Sequence, residues 1–298
     1  MSKTRLRVRR SSVAILAAFV PLLLVTVSVA PVTPAAAAPN QFLRFVVGGF
    51  PTPTGGGYWL AFANGAVSPS GDAHFYGDAH ELPLQGPLLG GSALPTGTGY
   101  WLVASDGGVF SYGTSRFFGS MGGKPLNQPV FSMASTTTGR GYWLVARDGG
   151  VFSFGDAKYY GSTGGIQLQQ PIAGIARNWT GNGYTMVARD GGVFGFGDAK
   201  FAGSLPGLGV HVQDVVGMAV TPGGKGYWIA RRTGQVYAFG AAAKFRSYAA
   251  SLCDPVVAII TNPRQQGYRL VTRSGATIAF GGGLDGNGST GTPVVCAN

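Results

Sequence analysis

The sequence predicts an all-β chain, a β-propeller of four-stranded antiparallel blades, six in number with seven as the alternative. Two observations carry this. Gly-Tyr recurs at Gly57-Tyr58, Gly99-Tyr100, Gly141-Tyr142, Gly183-Tyr184, Gly226-Tyr227 and Gly267-Tyr268, at intervals of 42, 42, 42, 43 and 41 residues. A fixed period of this length marks an array of one supersecondary unit, and about 40–45 residues is the span of a four-stranded blade. The composition agrees: 51 glycines and 18 prolines in 298 residues, 45% hydrophobic residues, 12% aromatic and only 11% charged. A disordered chain would be apolar-poor and charge-rich. Collagen would need Gly at every third position. A helical bundle would need abundant Ala, Leu, Glu, Lys and Arg, which are scarce past the N-terminal segment.

Each element of the unit follows from the third repeat. An apolar start, Pro129-Val-Phe-Ser-Met-Ala, reads as strand a. A polar loop, Ser135 to Gly141, leads to strand b, Tyr142-Trp-Leu-Val-Ala. Asp148-Gly149 is a two-residue hairpin signal. Val151-Phe-Ser-Phe is strand c, and Gly155-Asp156-Ala157 turns into a short strand d, Lys158-Tyr-Tyr-Gly-Ser. Equivalent apolar starts stand at Val46, Leu88, Val130, Ile172, Val215 and Val256. A seventh, Val294-Val295, precedes the C-terminus and is expected to add a strand at ring closure. Aromatic pairs two apart in strand c (Phe110/Tyr112, Phe152/Phe154, Phe194/Phe196, Tyr237/Phe239) share a strand face. Phe75, Phe117, Tyr159, Phe201 and Phe245 recur in strand d. Both sets are expected to pack between blades.

Residues 1–37 read as a signal peptide. Lys3, Arg5, Arg7, Arg9 and Arg10 form a basic n-region, Ser11 to Ala30 an apolar run, and Pro31 to Pro39 a small-residue exit. Cleavage after Ala37 leaves Ala38-Pro39. Pro21 and the Ala-rich exit favour cleavage over a retained anchor, which is the one route to membrane contact. Arg9-Arg10 leaves twin-arginine export beside the general route. Residues 38–43 are a short linker, and 44–298 a single domain of six repeats plus the terminal strand. The formal charge of +11 shrinks once the leader goes: 22 Lys/Arg lose five, leaving 17 against 11 acids. That balance argues against a nucleic-acid partner. Cys253 and Cys296 are the only cysteines and suggest one disulfide in an oxidising compartment.

The stretch Gly141-Tyr-Trp-Leu-Val-Ala-Arg-Asp-Gly-Gly-Val-Phe-Ser-Phe-Gly-Asp-Ala resembles the GYWLVASDGGVFSFGDA-type repeats of secreted actinobacterial proteins. Val215 to Trp228 is similar to an NHL/YVTN-style propeller blade. The resemblance spans residues 44 to 297 and implies an envelope or extracellular binding role. The sequence departs from it where Asp-Gly becomes Thr233-Gly234 and Ser274-Gly275, and where repeat four loses its Trp.

Three groups stand out as site candidates. The residue before the b–c turn reads Ala63, Ser105, Arg147, Arg189, Arg232, Arg273, so four successive blades offer an Arg at one rim. Arg suits carboxylate or phosphate; the plain alternative is solvated turn arginines. Asp72-Ala-His74-Phe-Tyr-Gly-Asp78-Ala-His80-Glu81 holds two of the three histidines and the only Glu. Asp78, His80 and Glu81 are its members new to the repeat pattern, as catalytic or metal-binding residues in an enzyme alternative. His74 aligns with Arg116, Lys158, Lys200 and Lys244, and Asp72 with turn residues Asp156 and Asp198. Trp179 lies in the a–b loop of repeat four, on the face opposite the arginines, as a stacking platform or an interface anchor. No nucleophile elbow, phosphate loop or dinucleotide fingerprint occurs.

The expectation is a secreted, monomeric, non-catalytic binder of an envelope protein or polysaccharide, without a cofactor. The alternatives are a propeller hydrolase or lyase acting on polysaccharide or lactone, and a purely structural scaffold. N-terminal sequencing of the chain recovered from culture medium is expected to begin at Ala38-Pro39. Recovery only in the membrane fraction with residue 1 or 2 leading overturns cleavage.

Overall fold

Among the described residues, the Gly-Tyr period organises eighteen strands into six antiparallel sheets. The computed structural model describes residues 42–245 and 252–282. Blade 1 comprises β1 (Val46–Pro51), β2 (Gly57–Phe62) and β3 (Val67–Gly71); blade 2, β4 (Leu88–Ala93), β5 (Gly99–Ala104) and β6 (Val109–Gly113). Blade 3 comprises β7 (Val130–Ser135), β8 (Gly141–Ala146) and β9 (Val151–Gly155); blade 4, β10 (Ile172–Arg177), β11 (Gly183–Ala188) and β12 (Val193–Gly197). Blade 5 comprises β13 (Val215–Val220), β14 (Gly226–Arg231) and β15 (Val236–Gly240); blade 6, β16 (Val256–Thr261), β17 (Gly267–Thr272) and β18 (Thr277–Gly281). Each sheet runs first, second, third strand in spatial order. All described residues belong to one compact unit. Among them, no helix is long and apolar enough to cross a membrane. The expected signal peptide, its Ala37 cleavage site, the Val294-Val295 strand and Cys296 lie outside the described residues; Cys253 is exposed between blades 5 and 6.

The first strands meet one another in a closed ring, with β16 packed on β1 just as β1 is on β4. Small residues at their third position (Gly48, Gly90, Ser132, Gly174, Gly217 and Ala258) allow the approach; a Cβ on Gly48 would stand 3.1 Å from Gly90 Cα. A backbone hydrogen bond stitches each blade to the next. Val130 N–H donates to Ser105 O at 3.0 Å, Ile172 to Arg147 O at 2.9 Å, Val215 to Arg189 O at 3.1 Å and Val256 to Arg232 O at 2.9 Å. Val46 N–H closes the ring on Arg273 O at 3.0 Å, with the same geometry. Six blades therefore close without a seventh.

The blades have three strands, which corrects the expected four. The segment foreseen as strand d runs beside its blade, but side chains take its polar groups in place of a strand ladder. In blade 3, Trp143 Nε1 donates to Lys158 O at 2.7 Å. The next blade's Tyr184 hydroxyl accepts from Tyr160 N–H at 3.3 Å and donates to Gly161 O at 2.6 Å. Thr163 N–H reaches Gly149 O at the hairpin. Tyr142 holds Phe118 and Gly119 in the same way, and Tyr227 holds Ala202 and Gly203. Two glycines show how tightly this is drawn. A Cβ on Gly141 would sit 2.4 Å from Phe154 O, and Gly161, at φ +132°, would drive one into the Phe196 ring at 2.6 Å.

The aromatic walls lie between blades. Trp59 contacts Tyr100, Trp101 contacts Tyr142, Trp143 contacts Tyr184 and Trp228 contacts Tyr268, at centroid separations of 5.4–5.5 Å. Within blades 2 to 6 the Tyr also meets the strand-c aromatic, as Tyr142 does Phe154 at 5.7 Å. At closure, Arg269 takes the Trp position, fully buried, with its guanidinium 5.1 Å from the Tyr58 ring centroid. Repeat four places Thr185 there.

The strand-d aromatics need a second correction. Phe75, Phe117, Tyr159 and Phe201 are exposed. Their successors Tyr76, Phe118 and Tyr160 pack edge-on against the next blade's Tyr, and so does Phe245 against Tyr268 at 5.8 Å. Phe245 thus belongs to the inward set. Trp228 Nε1 bonds Ala243 O at 2.8 Å, making Ala243, and not Lys244, the equivalent of Lys158. Counting from the repeat glycine gives the same register: Lys158 follows Gly141, and Ala243 follows Gly226, by the same number of residues.

Removing the hydroxyl in Tyr142→Phe leaves an N–H and a C=O unsatisfied, an expected cost of about 1–3 kcal/mol. Trp143→Ala is expected to cost about 3–5 kcal/mol. The exposed Trp179→Ala should stay within about 0.5 kcal/mol in the same urea titration. Burial pushes the Tyr100 phenol up to about 12 and raises Tyr142, Tyr184 and Tyr227 as well. Above the ordinary value of 10 the unfolded chain releases protons that the folded chain still holds. Stability therefore falls as pH rises from about 10 towards about 12. A urea midpoint that stays level across this window contradicts the role of the buried hydroxyls.

Candidate functional site

The inner strands end on a cavity of about 670 Å³ at the ring axis, on the face carrying the a–b loops. All six first strands and their following loops line it. The fourth position of the strand shapes its floor: Met133, Ile175, Met218 and Ile259 are bulky, whereas Gly49 and Gly91 leave room towards blades 1 and 2. The loops form a collar, each against the one before. A Cβ on Gly181 would meet Thr137, and one on Gly224 would meet Trp179. Arg264 Nε donates to Pro53 O at 3.2 Å across the closure. Asp turns brace the loops from outside: Thr136 and Thr138 both donate to Asp156, at 2.9 and 2.5 Å, and Thr52 and Thr180 bond Asp72 and Asp198 alike.

Among the described residues, two ionisable side chains line the cavity, Arg177 and Arg264, and no Asp, Glu, His, Lys, Cys or Tyr does. Arg177 closes β10 at a position that holds Pro51, Ala93, Ser135, Val220 and Thr261 in the other blades. It is half-buried, and its guanidinium makes no hydrogen bond or ion pair among the described residues. Burial alone lowers its pKa from the usual arginine value, yet arginine stays charged at any physiological pH. Two positions on, Trp179 stands at the mouth, 56% exposed. Arg177 and Arg264 were not among the residues singled out by sequence. The available signal was a lone cation where the aligned strand ends are small or apolar.

The predicted rim arginines lie at the other ends of the middle strands. Their backbone carbonyls carry the blade-to-blade stitching. Arg147 stacks over Phe131 at 4.5 Å and Arg273 over Phe45 at 4.2 Å. Arg189 Nε donates to Gln213 O at 3.1 Å, and Arg232 is exposed. Burial, then the charge of Arg189, lowers the Arg147 pKa, so these two neighbours face one region. Trp179 and the rim arginines thus sit on opposite faces.

The acid–histidine cluster is dispersed. Asp72 braces its loop, and His74 offers its carbonyl to Trp59 Nε1 at 2.7 Å. Asp78 accepts from Val67 and His80 backbone N–H groups at 3.3 and 3.2 Å. His80 Nδ1 lies 3.2 Å from Asn64 Nδ2, and Glu81 is exposed. Among the described residues, no three His, Cys, Asp or Glu side chains gather as a metal site.

No family model matches the chain, and no curated protein matches it. Solved structures do. One is a protein of unknown function from Bacteroides thetaiotaomicron, at a TM-score of 0.56 and 12% identity, covering 80% of this chain and 69% of that one. Another is the β-propeller domain of Cps50 (Swd1) from Myceliophteria thermophila, at a TM-score of 0.56 and 10% identity, covering 79% of this chain and 82% of that one. At such identities the likeness is one of fold, and the fold is a β-propeller.

Proposed function

We propose that this chain is an extracytoplasmic, non-catalytic propeller that binds a saccharide segment of an envelope polysaccharide in its central cavity. The observation that carries the reading is the cavity itself: open at one face, about 670 Å³, walled by all six blades, with an exposed Trp at its mouth. An indole face suits the apolar face of a sugar ring. The serines and threonines at the strand ends supply hydrogen-bonding groups around it. Ser135 and Thr261 already reach the neighbouring blades' carbonyls, at 3.1 Å each, so the wall is held in place before a ligand arrives. Hydrolysis or elimination needs an acid, a base or a nucleophile at the ligand. Among the described lining residues the ionisable side chains are arginines, with no carboxylate or imidazole among them to act as a base for the hydroxyls, which favours binding.

The basic and apolar leader, the expected Cys253–Cys296 disulfide and the resemblance to secreted actinobacterial repeats support the location. The rim arginines support a second site less well. Three of the four are engaged by a ring or a carbonyl of their own chain.

Retention of the purified mature chain on isolated cell-wall polysaccharide tests the reading. Trp179→Ala is expected to weaken retention by about tenfold or more, while Arg147→Ala and Arg273→Ala leave it unchanged. With no lining group that titrates near neutrality, retention should be level between about pH 5 and about pH 9. Unaltered retention of Trp179→Ala, or capture of an envelope protein that persists after the glycan is digested, overturns the assignment.

A further inference from the structure

We infer that the ligand of the central cavity carries an anionic group, a carboxylate or a phosphate, and that Arg177 is its receptor. The inference rests on the cavity being the ligand site and adds the chemistry of what enters it. A guanidinium has five N–H donors in a planar fork that matches the paired oxygens of either anion. A cation drawn partly out of water gains from a counter-charge or from acceptors for its N–H groups. Arg177 has neither among the described residues, although an Asp and backbone carbonyls serve other arginines of this chain. Arg231 pairs with Asp214 at 2.8 Å, Arg189 bonds Gln213 O, and Arg264 bonds Pro53 O.

Its surroundings leave it aimed at the cavity. The lining contains no acid to neutralise it. The strand ends of the two neighbouring blades, Ser135 and Val220, carry no charge. The acids nearest in sequence face elsewhere. Asp198 is taken up by Asn178 and Thr180, and Asp190 by the Gly192 N–H of its own hairpin. Arg264, at the rim, adds a second positive charge to the same space. Charge of one sign within low-dielectric walls raises the local concentration of the opposite ion. The five other blades place an uncharged residue at this strand end, so the cation is no requirement of the fold. Arg177 and Trp179, on one strand end and its loop, together suit an acidic sugar: the ring on the indole, the charged substituent on the guanidinium.

The protein carries its own reporter. Of its five tryptophans, four are buried at 0–1% exposure, and only Trp179 is open to a quencher. At constant ionic strength, iodide is expected to quench the wild-type fluorescence several-fold more than caesium. Arg177→Gln should cut the iodide constant by about threefold, and Arg177→Lys should restore most of it. Trp179→Phe removes the accessible signal and verifies its source. Millimolar sodium glucuronate or glucose 1-phosphate should protect Trp179 from iodide where glucose does not, and the better protector distinguishes carboxylate from phosphate. Equal quenching by iodide and caesium, an unchanged constant in Arg177→Gln, or protection by glucose as good as by both anions overturns the inference. The parent reading fails separately. Loss of wall retention in Trp179→Ala without iodide preference keeps the glycan site and removes the anion. Iodide preference without wall retention does the reverse.

Discussion

One tyrosine per blade bears most of the architecture. In blades 2, 3, 4 and 6 its ring is clamped between the Trp of the preceding blade and the outer-strand aromatic of its own. In blades 2 to 5 its hydroxyl reaches back to bridge an N–H and a C=O of the segment that leaves the preceding blade. Ring and hydroxyl thus join the same two blades twice, once by apolar contact and once by hydrogen bonds. In a buried wall both are costly to lose, because a missing partner leaves a desolvated donor or acceptor. The flanking Trp adds a third tie, from its indole N–H to the departing segment of its own blade. The Gly before Tyr exists for the same reason: a methyl there meets the outer strand's carbonyl.

This arrangement explains why three strands suffice. A fourth strand would cover the outer edge with backbone pairing. Here the departing segment covers it instead, secured by Trp and Tyr side chains at three or four points. The outer aromatics divide by parity. Tyr76, Phe118, Tyr160 and Phe245 turn inward, while Phe75, Phe117, Tyr159 and Phe201 face solvent. The two interfaces that lack Trp differ in kind. Arg269 at the closure keeps a ring contact to Tyr58 through its guanidinium, while Thr185 between blades 4 and 5 gives the contact up.

Because cohesion lies in the walls and at the periphery, the tips of the inner strands are free to differ. Their third positions must be small, since neighbouring strands approach there. Their last positions face the cavity and range over Pro, Ala, Ser, Arg, Val and Thr. Chemistry in this fold therefore collects where the repeat is least regular. The rim arginines illustrate the converse. They recur from blade to blade because their backbone stitches the ring, and the side chains settle onto nearby rings and carbonyls.

The sequence by itself determined the repeat, the antiparallel hairpins and the position of strands a to c, and favoured six blades over seven. All of these follow from local chemistry: Gly where a Cβ has no room, Asp-Gly at hairpins, and period-two apolar residues in strands. It also placed Trp179 in a loop, away from the arginine rim. Only the tertiary structure decided that the fourth segment is no strand, because side chains of the following blade compete for its backbone groups. Only it showed which of two adjacent aromatics faces inward, since register there depends on an indole bond spanning fifteen residues. And only ring closure brings six strand ends around one axis, so that Arg177, unremarkable in its own repeat, becomes one of two positive charges lining a cavity.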